Sequence, residues 1–537
     1  MAELVNNCLS LQALGESVRS SLGPSTSIKA YIDESSGNDG LLLNTLHMVE
    51  ALTSAEGGHS TNQILYESCQ GQQKECGCGV TTLVCLSGLW AGGVVKLTQE
   101  QGVPLPVVLA LYNEGLRSCD PLFTSCAVAM ETGRSHDPFP RLGKVKTFSR
   151  HLSSTRPTST SQNQLRAGLA HGRDEAMRLV ADAIELLPGG GLGSSSVLTH
   201  CVVGKGQSSS RVVRGVLVDV QSDMTSTITS QQLCVAVIDG DCTPTSTHPG
   251  LSRTQTSHDL LYKHQTPSDW LMQCATLLEK YNVGLVVVGG MMSPLLWEHC
   301  LATRVVVLTG VRQEQREAIS HMSGAVSTCY LQYTKEVHFG RGVWAELVEG
   351  GWVWPRYTGT SRRLPIKTYS CRITCTHSAV VTVMLCGSTE STVDLLSQQF
   401  SNCLHRVKCA FSDGCVLPGG GVFEAACVRR LRESVTNGNP PPCDDNGWMF
   451  DTCLLRHWRP AVYTALAEGL MQYIVCVLRN VDSSLDVYSG RCEAERMVCG
   501  RCDCVGVWDD PQSKKGAWSR ALSLLATVCS TERTQSR

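Results

Sequence analysis

The feature that most constrains this chain is a glycine loop, Glu75-Cys76-Gly77-Cys78-Gly79-Val80-Thr81-Thr82, which runs directly into the apolar stretch Leu83-Val84-Cys85-Leu86. Glycines at alternate positions let a backbone approach an anion closely, and the N-terminus of a following helix adds N–H donors and a favourable dipole. A nucleotide site that uses Mg²⁺ also needs a hard oxygen ligand, but the residue between these glycines is Cys78, whose sulfur is soft. The pattern predicts a phosphate loop that has lost its metal ligand; the alternative is a tight turn before a buried helix.

Two further glycine turns lie far from the first. Ser21-Leu22-Gly23-Pro24 is near the N-terminus, and Leu417-Pro418-Gly419-Gly420-Gly421-Val422-Phe423-Glu424 follows one amphipathic segment and opens another. In this order the three turns resemble group II chaperonins, the family of the cytosolic chaperonin subunits. That family has a Ser-Leu-Gly-Pro turn, a Gly-Asp-Gly-Thr-Thr loop and a Val-Pro-Gly-Gly-Gly-x-x-Glu loop. Each motif is short, but the ordered set at the family's spacing is specific, and the resemblance extends over nearly the whole chain.

Composition limits the class of protein. A chain of 537 residues is long enough for about two to four domains. Its formal net charge of -2, with 18% charged residues, shows neither a nucleic-acid footprint nor an acidic tail. The N-terminus has no basic region with a long apolar stretch, and apolar runs such as 285–288 and 305–308 have only strand length. We therefore expect a soluble protein with no secretory signal and no membrane span.

The chain has 28 cysteines, most of them inside apolar runs. In a large intracellular protein, free cysteine there acts as a small buried hydrophobic residue. Cys492, Cys499, Cys502 and Cys504 form an exception, because the last three approach zinc-knuckle spacing. No histidine lies nearby, so an insertion without metal is favoured, and a bound metal is the alternative.

The spacing of apolar residues predicts helical terminal regions around an α/β middle region. From residue 211, short β-branched strands alternate with helices, which indicates an α/β layer with parallel strand pairing. Segments 434–450 and 481–504 are predicted to be insertions at loop tips. The predicted strands are 212–218, 233–238, 284–288, 304–308 and two within 369–387; the predicted helices include 81–90, 106–119, 172–187, 267–281, 293–302, 312–322, 389–411 and 515–531.

The resemblance to group II chaperonins implies an α+β multidomain subunit with a helical equatorial domain, a small split intermediate domain and an α/β apical domain. The implied divisions are residues 1–130 (equatorial, first part), 131–163 (linker), 164–210 (intermediate, first part), 211–355 (apical), 356–411 (intermediate, second part) and 412–537 (equatorial, second part).

Family residues can be carried over only where this chain matches the family. By resemblance, the matching positions surround phosphate, ribose and base in a vestigial nucleotide site. They are Gly23, Pro24, Gly77, Gly79, Thr81, Thr82, Gly419, Gly420, Gly421 and Asp510. Residual ATP or ADP binding and a purely structural use of the glycine turns are the two alternatives for these positions.

Other positions depart from the family, among them Val80, which replaces the first threonine of the loop. Cys78 stands where the family has its metal-binding aspartate. Asn402, seventeen residues before Gly419, falls at the aspartate that would activate the attacking water. An amide cannot accept a proton from that water, so both the metal ligand and the general base are missing.

A third family motif, Asn-Asp-Gly-Ala-Thr, would end at Thr45. This register places Leu42 at the aspartate of the motif. Asn38-Asp39-Gly40 lies close by, and the same motif in a displaced register is the alternative.

These losses bear on activity. Phosphoryl transfer depends on a metal held in line and on an oriented water, and losing general-base help alone costs roughly 10²–10⁴-fold in rate. We therefore expect a pseudo-ATPase with no catalytic residues, no resident cofactor and no metal. The alternative is an ATP-dependent chaperonin subunit that folds client proteins with an atypical nucleotide site.

Within the family, the chain resembles the divergent chaperonin-like branch that is linked to Bardet–Biedl and McKusick–Kaufman syndromes. The strings that carry this likeness include Tyr31-Ile32-Asp33-Glu34, Trp458-Arg459-Pro460-Ala461-Val462 and Ala517-Trp518-Ser519-Arg520-Ala521-Leu522. The resemblance implies a cytoplasmic protein, near the base of the cilium, that forms hetero-oligomers with related chaperonin-like proteins and cytosolic chaperonin subunits. Its clients would be subunits of the BBSome, the ciliary membrane-traffic complex. Neither nucleic acid nor membrane insertion is expected.

Overall fold

The computed structural model of the chain describes residues 2–23, 29–33, 38–42, 44–54, 60–131, 141–142, 162–187, 197–228, 231–244, 267–353, 366–375, 380–437, 452–501 and 506–531. The chain forms two compact units. The terminal unit consists of Met1–Val180 and Gln398–Arg537, and the central unit consists of Ala181–Ser397. The finer division into equatorial, intermediate and apical domains stays a prediction.

The helices are, in chain order, α1 (Ala2–Val18), α2 (Thr45–Ser54), α3 (Ser60–Cys76), α4 (Val80–Gln99), α5 (Leu105–Ser118), α6 (Asp120–Ser125), α7 (Gln162–Ala170), α8 (Asp174–Leu186), α9 (Pro267–Lys280), α10 (Pro294–Ala302), α11 (Gln313–Ser323), α12 (Glu390–Asp413), α13 (Val422–Asn437), α14 (Thr452–Val481), α15 (Val487–Val498) and α16 (Pro511–Ser530).

The strands are, in chain order, β1 (Lys29–Asp33), β2 (Asn38–Leu42), β3 (Val128–Glu131), β4 (Arg141–Leu142), β5 (Val197–Val203), β6 (Arg211–Arg214), β7 (Val216–Val220), β8 (Gln232–Ile238), β9 (Val283–Val288), β10 (Val306–Leu308), β11 (Gly340–Val353), β12 (Ile366–Cys375), β13 (Val381–Gly387), β14 (Cys415–Pro418) and β15 (Trp508–Asp509).

Helix α4 lies in the core of the terminal unit and contacts α1, α14 and α16. Its Leu83, Leu86 and Trp90 are fully buried, and burying an apolar side chain of this kind contributes roughly 1.5–3 kcal/mol. Gly88 lets α1 approach closely, because a Cβ atom there would stand 2.8 Å from the backbone oxygen of Leu11. The prediction of a buried helix directly after the first glycine loop is confirmed.

Two helices of the described residues, α4 and the Cys453–Val481 part of α14, are long and apolar enough to cross a membrane by length and composition alone. In the structure, 67% and 61% of their most apolar windows are buried inside the protein. Both helices therefore contribute to the apolar core of the terminal unit.

The other long predicted helices are confirmed with shifted ends. The segments 106–119, 172–187 and 389–411 correspond to α5, α8 and α12. Helix α16 begins four residues earlier than predicted, because Asp510 caps it and Pro511 occupies its first turn.

The prediction that segment 481–504 is a loop-tip insertion was wrong for half of its length, because residues 487–498 form a helix. Helix α15 lies within it and packs on α13 and α14, with Ala494 and Met497 buried. Arg432 of α13 holds it with a two-pronged ion pair to Glu495, at 2.7 and 2.9 Å. The charges of this segment suggested a solvated loop, whereas its narrow buried stripe packs it as a surface helix on the core. Most of the other predicted insertion, 434–450, and of the predicted 131–163 linker lies outside the described residues.

The largest sheet of the central unit has the strand order β10-β9-β8-β11-β12-β7. Strands β10, β9 and β8 are parallel neighbours, as predicted, but β11, β12 and β7 pair antiparallel. The prediction of parallel pairing was therefore wrong for half of the sheet. Sequence reasoning missed the 14-residue strand β11, because an antiparallel strand with one exposed face alternates apolar and polar residues instead of forming an apolar run.

The predicted strand 212–218 is divided by Gly215 into β6 and β7, which belong to different sheets. Gly215 has φ 95°, and a Cβ atom there would stand 2.2 Å from the backbone oxygen of Ile373. The chain changes sheets at this residue, because only glycine tolerates both the backbone angle and the close approach. Strand β6 pairs with β13, which also pairs with β5.

Candidate nucleotide site

The first glycine loop is a sharp turn between two helices of the terminal unit. Helix α3 ends at Cys76, and α4 begins at Val80 with Gly79 as its N-cap. Gly77 and Gly79 have φ 65° and 87°, so both adopt the left-handed region that favours glycine. The backbone therefore has the predicted form of a loop that opens a helix.

The imidazole of His405 lies directly on this loop. A Cβ atom added to Gly77 would stand 2.1 Å from His405 Cγ. Burial, and secondly the charge of Lys408, lower the pKa of His405, so the ring is neutral at pH 7. The His405 side chain of α12 therefore occupies the space that a side chain at residue 77 would take.

Cys78 is half-buried and contacts the first turn of α16. Its Sγ lies 2.9 Å from Ser513 Oγ and 3.8 Å from Asp510 Oδ2. Burial, and secondly the charge of Asp510, raise the pKa of the Cys78 thiol well above its usual value. A neutral thiol packed against these groups offers no oxygen to a hard cation.

Asp510, which matches the family, serves here as a helix cap. It is buried, and its Oδ1 accepts a hydrogen bond of 2.7 Å from the backbone N–H of Ser513. Burial raises the pKa of Asp510, although the hydrogen bonds from Ser513 oppose that shift. The carboxylate is therefore already engaged within the chain.

The two retained threonines also have partners within the chain. The Thr82 hydroxyl lies 3.1 Å from the Tyr473 hydroxyl. The Thr81 hydroxyl lies 2.8 Å from that of Thr45, the residue at which the third family motif would end. Leu42 is the last residue of β2, three residues before Thr45, and its assignment to the lost aspartate stays a prediction.

The second glycine turn connects β14 to α13. Gly419 donates a 2.8 Å backbone hydrogen bond to Val507, and Gly420 and Gly421 have φ 64° and 90°. A Cβ atom at Gly421 would stand 3.1 Å from Ile474 Cγ2. The third turn, at Gly23, has φ 80°, whereas Pro24 lies outside the described residues.

Asn402 is half-buried on α12, one helical turn before His405. The structure therefore places it on the helix that covers the first glycine loop. Its amide remains unable to act as the general base that phosphoryl transfer from ATP to water requires.

A buried ion cluster lies beside the second turn. Lys514 Nζ is 2.5 Å from Glu424 Oε1 and 2.7 Å from Asp509 Oδ2. His171 Nε2 lies 3.1 Å from Asp509 Oδ1, and Arg406 Nη1 lies 2.9 Å from His171 Nδ1. Burial alone would raise the pKa of Asp509, but Lys514 and His171 together hold it below its usual value.

Sequence reasoning missed this cluster and His405. One signal for the cluster was available, because Lys514 falls on the buried stripe of α16 that Trp518, Ala521 and Leu525 continue. A lysine on a buried stripe requires a carboxylate partner. The partners Glu424 and Asp509 come from α13 and β15, which only the folded chain brings together.

The residues do not fit a bound Mg-nucleotide. Cys78 supplies sulfur in place of an oxygen ligand, His405 covers Gly77, and Asp510 caps a helix. Within the described ranges, no three or more His, Cys, Asp or Glu side chains are grouped so that they could hold a metal ion. Cys492 and Cys499 are exposed, and Cys502 and Cys504 lie outside those ranges.

The sequence profile of the TCP-1/cpn60 chaperonin family matches residues 14–439, and the chain belongs to this family. It is 23% identical to the "Chaperonin-containing T-complex member BBS12" of Xenopus laevis, over 97% of this chain and 94% of that protein. It is 22% identical to the Homo sapiens protein of the same name, over 91% of this chain and 85% of that protein. These findings confirm the family and the divergent branch that the sequence motifs indicated.

The chain is also similar to archaeal and structural relatives. It is 23% identical to the thermosome subunit alpha of Saccharolobus solfataricus, over 80% of this chain and 73% of that protein. The crystal structure of a group III chaperonin in the open state matches with a TM-score of 0.64 and 16% identity, over 99% of this chain and 98% of that one. The predicted fold class, an α+β multidomain chaperonin subunit, is confirmed.

Proposed function

We propose that this chain is a chaperonin-like subunit that does not hydrolyse ATP and acts by holding other polypeptides. The observation that carries the proposal is that the Cys78 thiol, which by resemblance stands at the family's metal-ligand position, is packed against Ser513 and Asp510. Without a metal, the charge that develops on the transferred phosphoryl group is not neutralised. Without a base at Asn402, a further factor of roughly 10²–10⁴ is lost.

Exposed apolar side chains of the central unit support a role in protein binding. Met272, Met291 and Tyr333 are each at least 68% exposed. Flexible methionines suit partners of varied shape. We infer that the central unit contributes to the surface that holds client polypeptides.

The relatives suggest the partners. Two of them are named as members of the chaperonin-containing T-complex. We therefore infer hetero-oligomers with cytosolic chaperonin subunits and with the related chaperonin-like proteins of the Bardet–Biedl and McKusick–Kaufman branch. In this proposal BBSome subunits are the clients, and the protein works in the cytoplasm near the base of the cilium.

Two measurements test the proposal. Purified protein is assayed for ATP turnover beside the triple variant Cys78→Asp, Asn402→Asp, His405→Ala, and turnover in the unmodified chain at chaperonin-like rates would overturn the proposal. The native chain is also purified from ciliated cells, where the expected co-purifying proteins are cytosolic chaperonin, related chaperonin-like proteins and BBSome subunits. Recovery without any of these proteins would contradict the proposed assembly role.

A further inference from the structure

Two cysteines from opposite ends of the chain face each other in the core of the terminal unit. Cys8 on α1 and Cys529 on α16 have their Sγ atoms 3.7 Å apart. Both are buried, and both are free thiols. The S–S bond of a disulfide is about 2.05 Å long, so the two sulfur atoms need to approach by less than about 2 Å to bond.

We propose that Cys8 and Cys529 are a redox-sensitive pair, at which a disulfide links the first helix of the chain to the last. This modification site is independent of the nucleotide loops. The two helices are already packed together, so the bond joins elements that are neighbours in the fold.

The environment of the pair makes Cys8 the more reactive thiol. A hydrogen bond from the Cys529 thiol lowers the pKa of Cys8, and burial opposes this shift with a smaller effect. The same contact raises the pKa of Cys529. Since the thiolate is the nucleophile in disulfide exchange, Cys8 attacks first.

Tyr112 interacts electrostatically with the pair. It is fully buried on α5, and among the described residues its hydroxyl has no hydrogen-bond partner. Burial, and secondly the charges of Cys529 and Cys8, raise the pKa of Tyr112.

The oxidant is a small disulfide such as glutathione disulfide. The Cys8 thiolate attacks one of its sulfurs and releases one glutathione, and the Cys529 thiolate then attacks the Cys8 sulfur and releases the second. Two protein thiols lose two electrons and two protons, and one glutathione disulfide becomes two glutathione molecules. The oxidant reaches Cys8 when the last turn of α16 opens, because Cys529 lies in that turn and against Cys8, and helix ends open locally.

Peptide mapping of the oxidised full-length protein tests the proposal. The chain is treated with glutathione disulfide in its native state, alkylated, digested with trypsin and analysed by mass spectrometry. Tryptic peptides 1–19 and 521–533 each contain a single cysteine. The expected product joins these two peptides, is two hydrogens lighter than their sum and disappears on reduction. It forms in the wild type and in Cys69→Ala, a control at a buried cysteine of α3, but not in Cys8→Ala or Cys529→Ala.

Mapping of the wild type needs no variant, so a failure of Cys8→Ala to fold leaves the test intact. The proposal is wrong if Cys8 and Cys529 stay fully alkylatable under conditions that oxidise the exposed Cys492 and Cys499. It is also wrong if Cys8 bonds to a different cysteine. The disulfide should raise the Tm of the wild type by at least about 2 °C, and dithiothreitol should reverse this increase. An unchanged Tm would contradict a stabilising link between α1 and α16.

Discussion

The sulfur of Cys78 lies 2.9 Å from the hydroxyl oxygen of Ser513, which joins the first glycine loop to the first turn of α16. Gln72 reinforces this junction, because its side-chain amide donates to the backbone oxygens of Cys78 and Ser513 at 2.9 and 3.2 Å. Cys78, which by resemblance stands at the family's metal-ligand position, is therefore a contact between two parts of the terminal unit. Hydrogen bonds within the chain hold the loop in place.

Replacing Cys78 by aspartate should make stability depend on pH. The new carboxyl would lie beside the buried Asp510, so its pKa in the folded state should exceed its pKa in the unfolded chain. The folded state then binds more protons, and the stability of the variant increases as the pH falls from 7 towards 4. We expect a loss of about 1–3 kcal/mol at pH 7 and a smaller loss at pH 5, measured by urea unfolding.

The matched control is Cys78→Ser, which keeps a neutral hydrogen-bonding group beside Ser513. It should cost less than about 1.5 kcal/mol and add no pH dependence. Equal losses of stability for Cys78→Asp at pH 5 and pH 7 would show that Asp510 does not raise the pKa of the new carboxyl.

Replacing Lys514 by methionine should be strongly destabilising. Lys514 is 8% exposed and contacts Glu424, which is fully buried. The other oxygen of Glu424, Oε2, has no hydrogen-bond partner in the described part of the chain. Removing the ammonium therefore leaves buried carboxylates uncompensated, at a cost of about 3–5 kcal/mol in the free energy of unfolding.

The adjacent lysine provides a control for this variant. Lys515 is 61% exposed and pairs with Asp120 at 3.2 Å. Because an exposed pair contributes little, Lys515→Met should cost no more than about 1 kcal/mol. Both variants are measured by urea unfolding. Similar losses of stability for Lys514→Met and Lys515→Met would mean that burial does not increase the contribution of the Lys514 ion pairs to stability.

Two glycines with nearly the same φ allow the stability cost of backbone strain to be measured separately from the cost of steric conflict. Gly102 has φ 70° and no atom within 4 Å of an added Cβ, whereas a Cβ at Gly77, with φ 65°, would meet the ring of His405. Gly102→Ala should cost about 1–2 kcal/mol, from backbone strain alone. Gly77→Ala should cost about 1–3 kcal/mol more, from overpacking.

A double-mutant cycle checks the cause of the difference. Adding His405→Ala to Gly77→Ala should remove most of the excess cost, which would appear as a coupling energy between the two positions. Equal costs for Gly77→Ala and Gly102→Ala would contradict the close contact between Gly77 and His405.

Local signals made the helices and glycine turns of the terminal unit predictable. Apolar residues at helical spacing marked α4, α12 and α16, and the glycines at 77, 79, 420 and 421 adopt the left-handed angles that such turns require. Asp510 could be placed next to the first loop only through resemblance to the family. Its use as a helix cap became apparent from its hydrogen bond to Ser513.

The features that sequence reasoning missed depend on contacts between distant segments. His405 meets Gly77, and Lys514 meets Glu424, across more than 80 residues of chain in each case. Nothing in the local pattern of α12 shows which of its polar residues faces a glycine. Strand β11 was missed for a related reason, because its half-exposed sequence becomes a strand through pairing with β8 and β12.

Restoring carboxylates at positions 78 and 402 should not by itself restore ATP hydrolysis. In Cys78→Asp, Asn402→Asp, the ring of His405 still lies against Gly77, where the family's loop approaches phosphate. Phosphate binding by such a loop depends on direct access to the glycine backbone. We therefore expect turnover only when His405→Ala is added to the double variant, measured as phosphate release with Mg-ATP. His405→Ala alone should remain inactive, because neither carboxylate is present. Turnover in the double variant equal to that of the triple variant would show that His405 does not obstruct the loop.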